Sequence, residues 1–253
     1  MTIACCQFDI AWENKLENHN RVRALLRSAA LPPQSLVLLP EMFDTGFSMN
    51  LAQTEDGANG KTRQFLSDLA GELRLFLLGG LVAANHNEAV TFDPDGHEIA
   101  RYQKIHLFTS AGEPDHLSPG KDLVLFDWCG LRVCPLVCYD LRFPETFRAA
   151  VQRGANCFAV IANWPAKREN HWLTLLQARA IENQAYVAGV NRIGDDPQAH
   201  YNGRSLIIDP RGEILADAGA AEEIITAEIS VAAVAEYRQK FPVLRDIRSD
   251  DRF

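Results

Sequence analysis

Apolar and polar positions along the chain follow two rhythms. Short apolar runs at residues 2–8, 35–39, 76–84, 131–137, 157–162 and 185–191 are separated by longer stretches in which apolar residues recur every three to four positions among charges. The short runs span five to nine residues, too few for helices, and their near-continuous apolar character predicts strands buried on both faces. The longer stretches predict amphipathic helices at 14–30, 61–73, 147–153, 172–183 and 231–239. In the first of these Leu16, Val22, Leu25, Leu26 and Ala29 alternate with charges, and Pro32-Pro33 ends it.

Turn residues supply the remaining connections. Asp93-Pro94-Asp95-Gly96 lies between 90–92 and 98–104, and Asp209-Pro210-Arg211-Gly212 between 205–208 and 213–216, so each marks a hairpin. Cys129-Gly130 joins 124–127 to 131–137, and a further strand is expected at 224–229. The Asp-Pro-x-Gly hairpin occurs once in each half, beside a similar order of strands and helices. That repetition predicts two pseudo-equivalent halves: an α/β chain folded as a four-layer αββα sandwich, with two mixed sheets face to face. No linker or low-complexity segment divides residues 1–253, which are expected to form a single domain.

Charge and cysteine usage narrow the class. A net charge of -8 disfavours nucleic acid or an anionic membrane as the main partner. The longest apolar run, 75–84, falls short of the ~18 residues a spanning helix requires. Cys5, Cys6, Cys129, Cys134, Cys138 and Cys157 show no paired spacing, and the N-terminus enters a strand without a basic leader. Both features predict free thiols and a cytoplasmic location.

Three polar residues fall at strand exits, where catalytic groups of α/β sheets gather. Glu41 follows 35–39, Lys104 follows 98–103 and Cys138 follows 131–137. A single loop glutamate, surface lysine or buried thiol is the commoner reading of each taken alone. A base, a cation and a thiol at three such exits form a set. Cys138 also sits where an apolar strand turns sharply into a helix, a position that exposes a nucleophile beside backbone N–H groups. Cys129, Cys134 and Cys138 with His106 and His116 form a rival zinc grouping, but the Cys-x4-Cys-x3-Cys spacing suits zinc poorly and Pro135 lies in a buried strand.

The motifs Pro40-Glu41, Tyr102-Gln103-Lys104-Ile105-His106-Leu107 and Val137-Cys138-Tyr139-Asp140-Leu141-Arg142-Phe143-Pro144-Glu145, with Gln177-Ala178-Arg179-Ala180-Ile181-Glu182-Asn183-Gln184 and the second hairpin, resemble the nitrilase superfamily of carbon–nitrogen hydrolases. The resemblance spans nearly the whole chain. It implies the αββα sandwich and a Glu-Lys-Cys triad in which Glu41 is general base, Lys104 the cation and Cys138 the nucleophile. Glu113 matches the family's additional glutamate, and the Tyr139 N–H would share the oxyanion with Lys104. No metal and no cofactor is implied. Pro40-Glu41-Met42-Phe43-Asp44-Thr45-Gly46-Phe47, Asn163-Trp164-Pro165-Ala166-Lys167-Arg168 and the segment from Phe241-Pro242 to Ser249-Asp250 are similar to the ω-amidase branch, whose substrates are small 2-oxo acid ω-amides such as 2-oxoglutaramate or 2-oxosuccinamate. For the substrate carboxylate Arg142 is the first choice and Lys167 and Arg168 the next, while Phe43, Phe47, Tyr139 and Trp164 are expected to wall the pocket. The same triad would also serve a nitrile or an N-carbamoyl compound, and a catalytically silent scaffold or metal-binding protein is the alternative of another class. The family further implies a homodimer, with the tail 241–253 docking on the partner through Phe241, Leu244, Ile247 and Phe253.

Overall fold

The computed structural model describes residues 1–57 and 60–248. In chain order its first half contains β1 (Thr2–Gln7), α1 (Lys15–Ala29), β2 (Leu36–Leu38), α2 (Leu51–Thr54), α3 (Lys61–Leu73), β3 (Phe76–Ala83), β4 (His86–Phe92) and β5 (Glu98–Gln103). The second half contains β6 (Phe126–Trp128), β7 (Leu131–Val137), α4 (Pro144–Gln152), β8 (Cys157–Ala162), α5 (Glu169–Asn183), β9 (Tyr186–Asn191), β10 (Ile193–Asp195), β11 (His200–Asn202), β12 (Leu206–Ile208), β13 (Ile214–Asp217), β14 (Glu223–Glu228) and α6 (Val231–Lys240).

Two six-stranded sheets form, ordered β14-β1-β2-β3-β4-β5 and β13-β12-β9-β8-β7-β6. Each has three parallel strands at its centre, β1-β2-β3 in one and β7-β8-β9 in the other, flanked by antiparallel strands. The expected repetition of halves is thus present in the sheets. Side chains in β1 and β2 divide by the period of two. Ile3, Cys5, Leu36 and Leu38 face the other sheet and share a core cluster with Val133, Cys157 and Ile161, whereas Ala4, Cys6, Val37 and Leu39 face α1 and α3 and pack with Val22, Leu26, Phe65 and Leu66. A strand apolar on both faces must be covered twice, once by a sheet and once by helices, and four layers result.

Local details depart from the expected pattern in three places. The helix after Cys138 starts sooner, with a 3-10 turn at Cys138–Arg142 followed by α4, whose first residue is Pro144. Proline has no N–H to lose at a helix start, so it marks the entry. The loop 106–122 carries 3-10 turns at Thr109–Ala111 and Glu113–Asp115. The strands β10 and β11 pair as a separate two-stranded ribbon; at three residues each, with only Asp195 and His200 exposed, they are too short to carry a strand rhythm. Among the described residues no helix is long and apolar enough to cross a membrane. Phe253 of the expected tail anchors lies outside the described residues, while Phe241 is exposed and Leu244 packs against the core.

Candidate active site

Glu41 leaves β2 through Pro40 and is completely buried. Its backbone is pressed against β3, where Phe43 N–H donates to the Gly80 carbonyl at 3.1 Å. A Cβ on Gly80 would stand 2.6 Å from Glu41 Cα and 2.7 Å from Met42 N, so only glycine permits this approach. Asn163, just beyond β8, grips Glu41 from the opposite sheet. Its N–H donates to Glu41 Oε2 at 2.9 Å and its side-chain amide to the Glu41 carbonyl at 2.6 Å.

Lys104 follows β5, and its ammonium is fully buried. Nζ donates to Glu41 Oε1 at 2.9 Å and to Glu113 Oε1 and Oε2 at 3.1 and 2.9 Å. Burial works against the ammonium, but the Glu113 and Glu41 carboxylates outweigh it and hold its pKa above the ordinary lysine value. Lys104 is therefore a fixed positive charge. Glu113 is itself tethered by the Phe108 N–H at 2.6 Å. The Asn87 side-chain amide donates to Glu41 Oε1 at 2.7 Å and to Glu113 Oε1 at 2.9 Å.

Cys138 ends β7 at a sharp bend with φ +45°, a left-handed conformation costly for a side chain with a Cβ. Asp140 holds that bend. Its Oδ2 accepts from the Val137 N–H at 3.0 Å and the Tyr102 hydroxyl at 2.8 Å, and its Oδ1 accepts from the His106 N–H at 3.0 Å. Tyr102 and His106 bracket Lys104, so one buried carboxylate joins the lysine strand to the cysteine strand. The thiol is half-buried, with Sγ 3.8 Å from the Asn163 carbonyl. Its pKa lies well above the ordinary thiol value, first because of burial and then because of the Glu41 carboxylate, which together outweigh the Lys104 charge. The resting sulfur is a neutral thiol close to the Glu41 carboxylate.

Two recesses open on Cys138 and share Phe108, Asn163, Pro165 and Arg168. One adds Tyr139, Arg142 and Trp164; the other adds Phe47, Lys104, Lys167 and Tyr201. The Arg142 guanidinium lies 4.7 Å above the Trp164 ring and 5.8 Å from that of Tyr139, with both Nη atoms 3.3 Å from His171 Nδ1. Arg168 stacks on Phe108 at 5.2 Å. Burial, then the positive charge of Arg168, lowers the pKa of Arg142. Among the described residues neither arginine forms an ion pair with a carboxylate, unlike Arg63, Arg192 and Arg204.

The structure thus brings Glu41, Lys104, Glu113 and Cys138 into one cleft, with Tyr139, Arg142 and Trp164 along its wall. Phe43 is a correction: it is completely buried behind the cleft, with its ring on His19 and Phe65 at 5.9 and 6.2 Å. Its chain neighbour Met42 adopts φ +44°, which turns residue 43 inward and leaves Phe47 to face Lys104 at 5.4 Å. Of the thiols in the rival zinc grouping, Cys134 lies in the sheet interior and Cys129 at an exposed turn. His106 stacks on Phe143 at 3.7 Å and meets Asp140. Sequence reasoning missed Asn163, although it stands at a strand exit like the other three. It also missed Asn87, Asp140 and Gly80, which act from behind the reacting groups.

The fold has close counterparts. The sequence pattern of the carbon-nitrogen hydrolase family matches residues 2–239. The chain belongs to the carbon-nitrogen hydrolase family. Within the family it is 38% identical over 255 residues to the 2-oxoglutaramate amidase of Bacillus subtilis (strain 168), with 98% of each chain covered. It is 41% identical over 257 residues to the omega-amidase YafV of Yersinia enterocolitica, covering 97% of this chain and 96% of that one. A solved CN-hydrolase superfamily protein from Xanthomonas campestris, which carries an arsenic adduct in its active site, superposes with a TM-score of 0.93 at 35% identity over 98% of this chain and 97% of that chain. The Xanthomonas protein shares the layered sandwich of this chain.

Proposed function

We propose that this carbon-nitrogen hydrolase is an ω-amidase that releases ammonia from the terminal amide of a small 2-oxo acid, of the 2-oxoglutaramate or 2-oxosuccinamate type. The observation that carries the substrate class is the pair Arg142 and Arg168, two guanidiniums beside Cys138 that lack acidic partners among the described residues. Like charges in a partly desolvated wall favour a bound carboxylate, and a guanidinium can meet it with two parallel hydrogen bonds. The names of the relatives support the same reading.

The chemistry follows from the cleft. With the substrate carboxylate on Arg142, the amide carbon reaches Cys138. Glu41 takes the thiol proton as Sγ attacks, so the thiolate forms only when it has an electrophile to meet. The tetrahedral oxyanion is held by Lys104 and the Tyr139 N–H, each such donor lowering the barrier by roughly 2.7–4 kcal/mol. Glu41 returns the proton to the departing nitrogen, the C–N bond breaks, and ammonia leaves a thioester on Cys138. Water, deprotonated by Glu41, then adds to the thioester; the C–S bond breaks, the sulfur recovers a proton and the carboxylic acid departs. Glu113 keeps Lys104 charged and in place throughout. Glu41 thus shuttles a proton in both halves of the reaction.

The test is ammonia release from a panel of ω-amides with and without the 2-oxo and carboxylate groups, alongside nitriles and N-carbamoyl compounds. 2-Oxoglutaramate should be preferred, and Cys138→Ala should abolish turnover while retaining the fold. Preference for a nitrile, or undiminished turnover by Cys138→Ala, would overturn the proposal. The reading includes a cytoplasmic homodimer. Exposed Ile181, Ile214, Leu215 and Phe241, beside the α5 and β13 surfaces and the tail, support it, and sedimentation velocity would test the association.

A further inference from the structure

We infer that Asn87 is a positioning residue of the reaction, fixing the two carboxylates around Lys104 so that Glu41 presents Oε2 to Cys138. This rests on the proposed acyl-enzyme chemistry and extends it to a residue on a hairpin strand that never meets substrate.

Four observations converge. Asn87 is completely buried. Its single amide nitrogen donates to Glu41 Oε1 at 2.7 Å and Glu113 Oε1 at 2.9 Å, so both of its N–H bonds are committed to carboxylates. Its backbone carbonyl accepts the Lys104 N–H at 2.8 Å, which ties the same residue to the third member of the cluster. Its Oδ1 is buried without a hydrogen-bond partner among the described residues. A buried amide oxygen left unpartnered is costly, and an arrangement that tolerates it calls for a reason. Reversing the amide would set that oxygen against two carboxylates, so the orientation is fixed by charge.

The consequence is geometric. Lys104 supplies one point charge to two buried carboxylates, and a point charge attracts a carboxylate without fixing the rotation of its plane. Asn87 bridges them from the strand side. With Lys104 and Asn87 both on Oε1, Glu41 is left with Oε2, which receives the Asn163 N–H at 2.9 Å. Rotation of the carboxylate is blocked, and the oxygen that serves the sulfur is always the same one.

Asn87→Ala should lower kcat for 2-oxoglutaramate about 10- to 100-fold, the loss expected for a hydrogen bond to a charged group, with KM changed less than about threefold. Alkylation of Cys138 by iodoacetamide, followed on its own peptide so that Cys129 does not interfere, should slow in parallel, since it needs the same base and no substrate. Asn87→Asp keeps the shape but replaces the donor with a third carboxylate, and should be at least as impaired. Asn87→Ser keeps one donor, should fall between, and serves where the alanine variant does not fold. A role confined to filling space would leave Asn87→Asp active, or would shift Tm while leaving kcat and the alkylation rate within about threefold, and either outcome overturns the inference. If the wild-type protein releases no ammonia from 2-oxoglutaramate, the substrate reading fails, yet the alkylation rates still judge Asn87.

Discussion

At the scale of single residues, the cleft works by leaving charge unbalanced in chosen places. Around Lys104 two carboxylates face one ammonium, which keeps that ammonium charged. Along the outer wall the imbalance is reversed, with Arg142 and Arg168 close to each other and no acid beside them among the described residues. On the proposed reading, a substrate bearing one carboxylate and one amide completes the second set while it reacts at the first. Arg142→Ala should therefore raise KM for 2-oxoglutaramate about 10- to 100-fold, and leave KM for an uncharged amide nearly unchanged. Arg142→Lys should restore only part of the loss, because an ammonium cannot match the forked geometry or the stacking on Trp164. Initial-rate kinetics on the charged and uncharged substrates checks both.

At the scale of elements, the site depends on how closely strand exits are pressed together. Gly80 in β3 lets the Glu41 backbone approach to a distance that excludes any side chain, and Ile161 Cδ1 from the opposite sheet would stand 2.8 Å from an added Cβ. Gly80→Ala must push the Glu41 segment aside. A misplacement near 1 Å costs about 100-fold in rate, and overpacking costs roughly 1–3 kcal/mol of stability. The variant should show both, read as kcat on 2-oxoglutaramate and as the midpoint of urea unfolding. The same dependence shows what the chain pattern conveyed. Strands buried on both faces, Asp-Pro-x-Gly hairpins and amphipathic helices were all legible, since each is a local rhythm. Glu41, Lys104 and Cys138 were legible as polar residues at strand exits and through family motifs. Asn87 was not, because a polar residue near the start of a hairpin strand looks the same whether it faces solvent or a buried charge. Phe43 misled for the opposite reason: an aromatic next to a catalytic motif looks like a pocket wall, and only the left-handed Met42 turns it into the core.

At the scale of the whole molecule, buried ionisable groups make stability depend on pH. His19 packs flat on Phe65 at 4.2 Å, and its Nε2 lies 3.2 Å from the Thr62 hydroxyl. Burial, reinforced by the charge of Lys15, lowers its pKa to about 4, against which Asp56 acts weakly and Arg23 adds slightly. The unfolded chain binds that proton near pH 6.5. Between pH 6.5 and 4 the unfolded state therefore holds more protons than the fold, and stability falls as pH falls through that window. His19→Gln keeps a hydrogen-bonding side chain without titrating. Between pH 6.5 and 4 its Tm should drop less than that of the wild-type protein, as read by differential scanning calorimetry.

The sequence by itself determined the layers and their order. Apolar period, turn chemistry and the repeated hairpin depend only on neighbours in the chain, and a strand apolar on both faces admits few ways of being covered. It also determined the types of group available for chemistry at the strand exits. Only the tertiary structure decided which atoms meet: that Asn87 spans Glu41 and Glu113, that Asn163 reaches Glu41 from the other sheet, and that Arg142 and Arg168 stand together without a carboxylate partner among the described residues. Those contacts join residues 26 to 122 positions apart. Distance and direction across packed sheets are set by all of the side chains between them, and no stretch of sequence contains that sum.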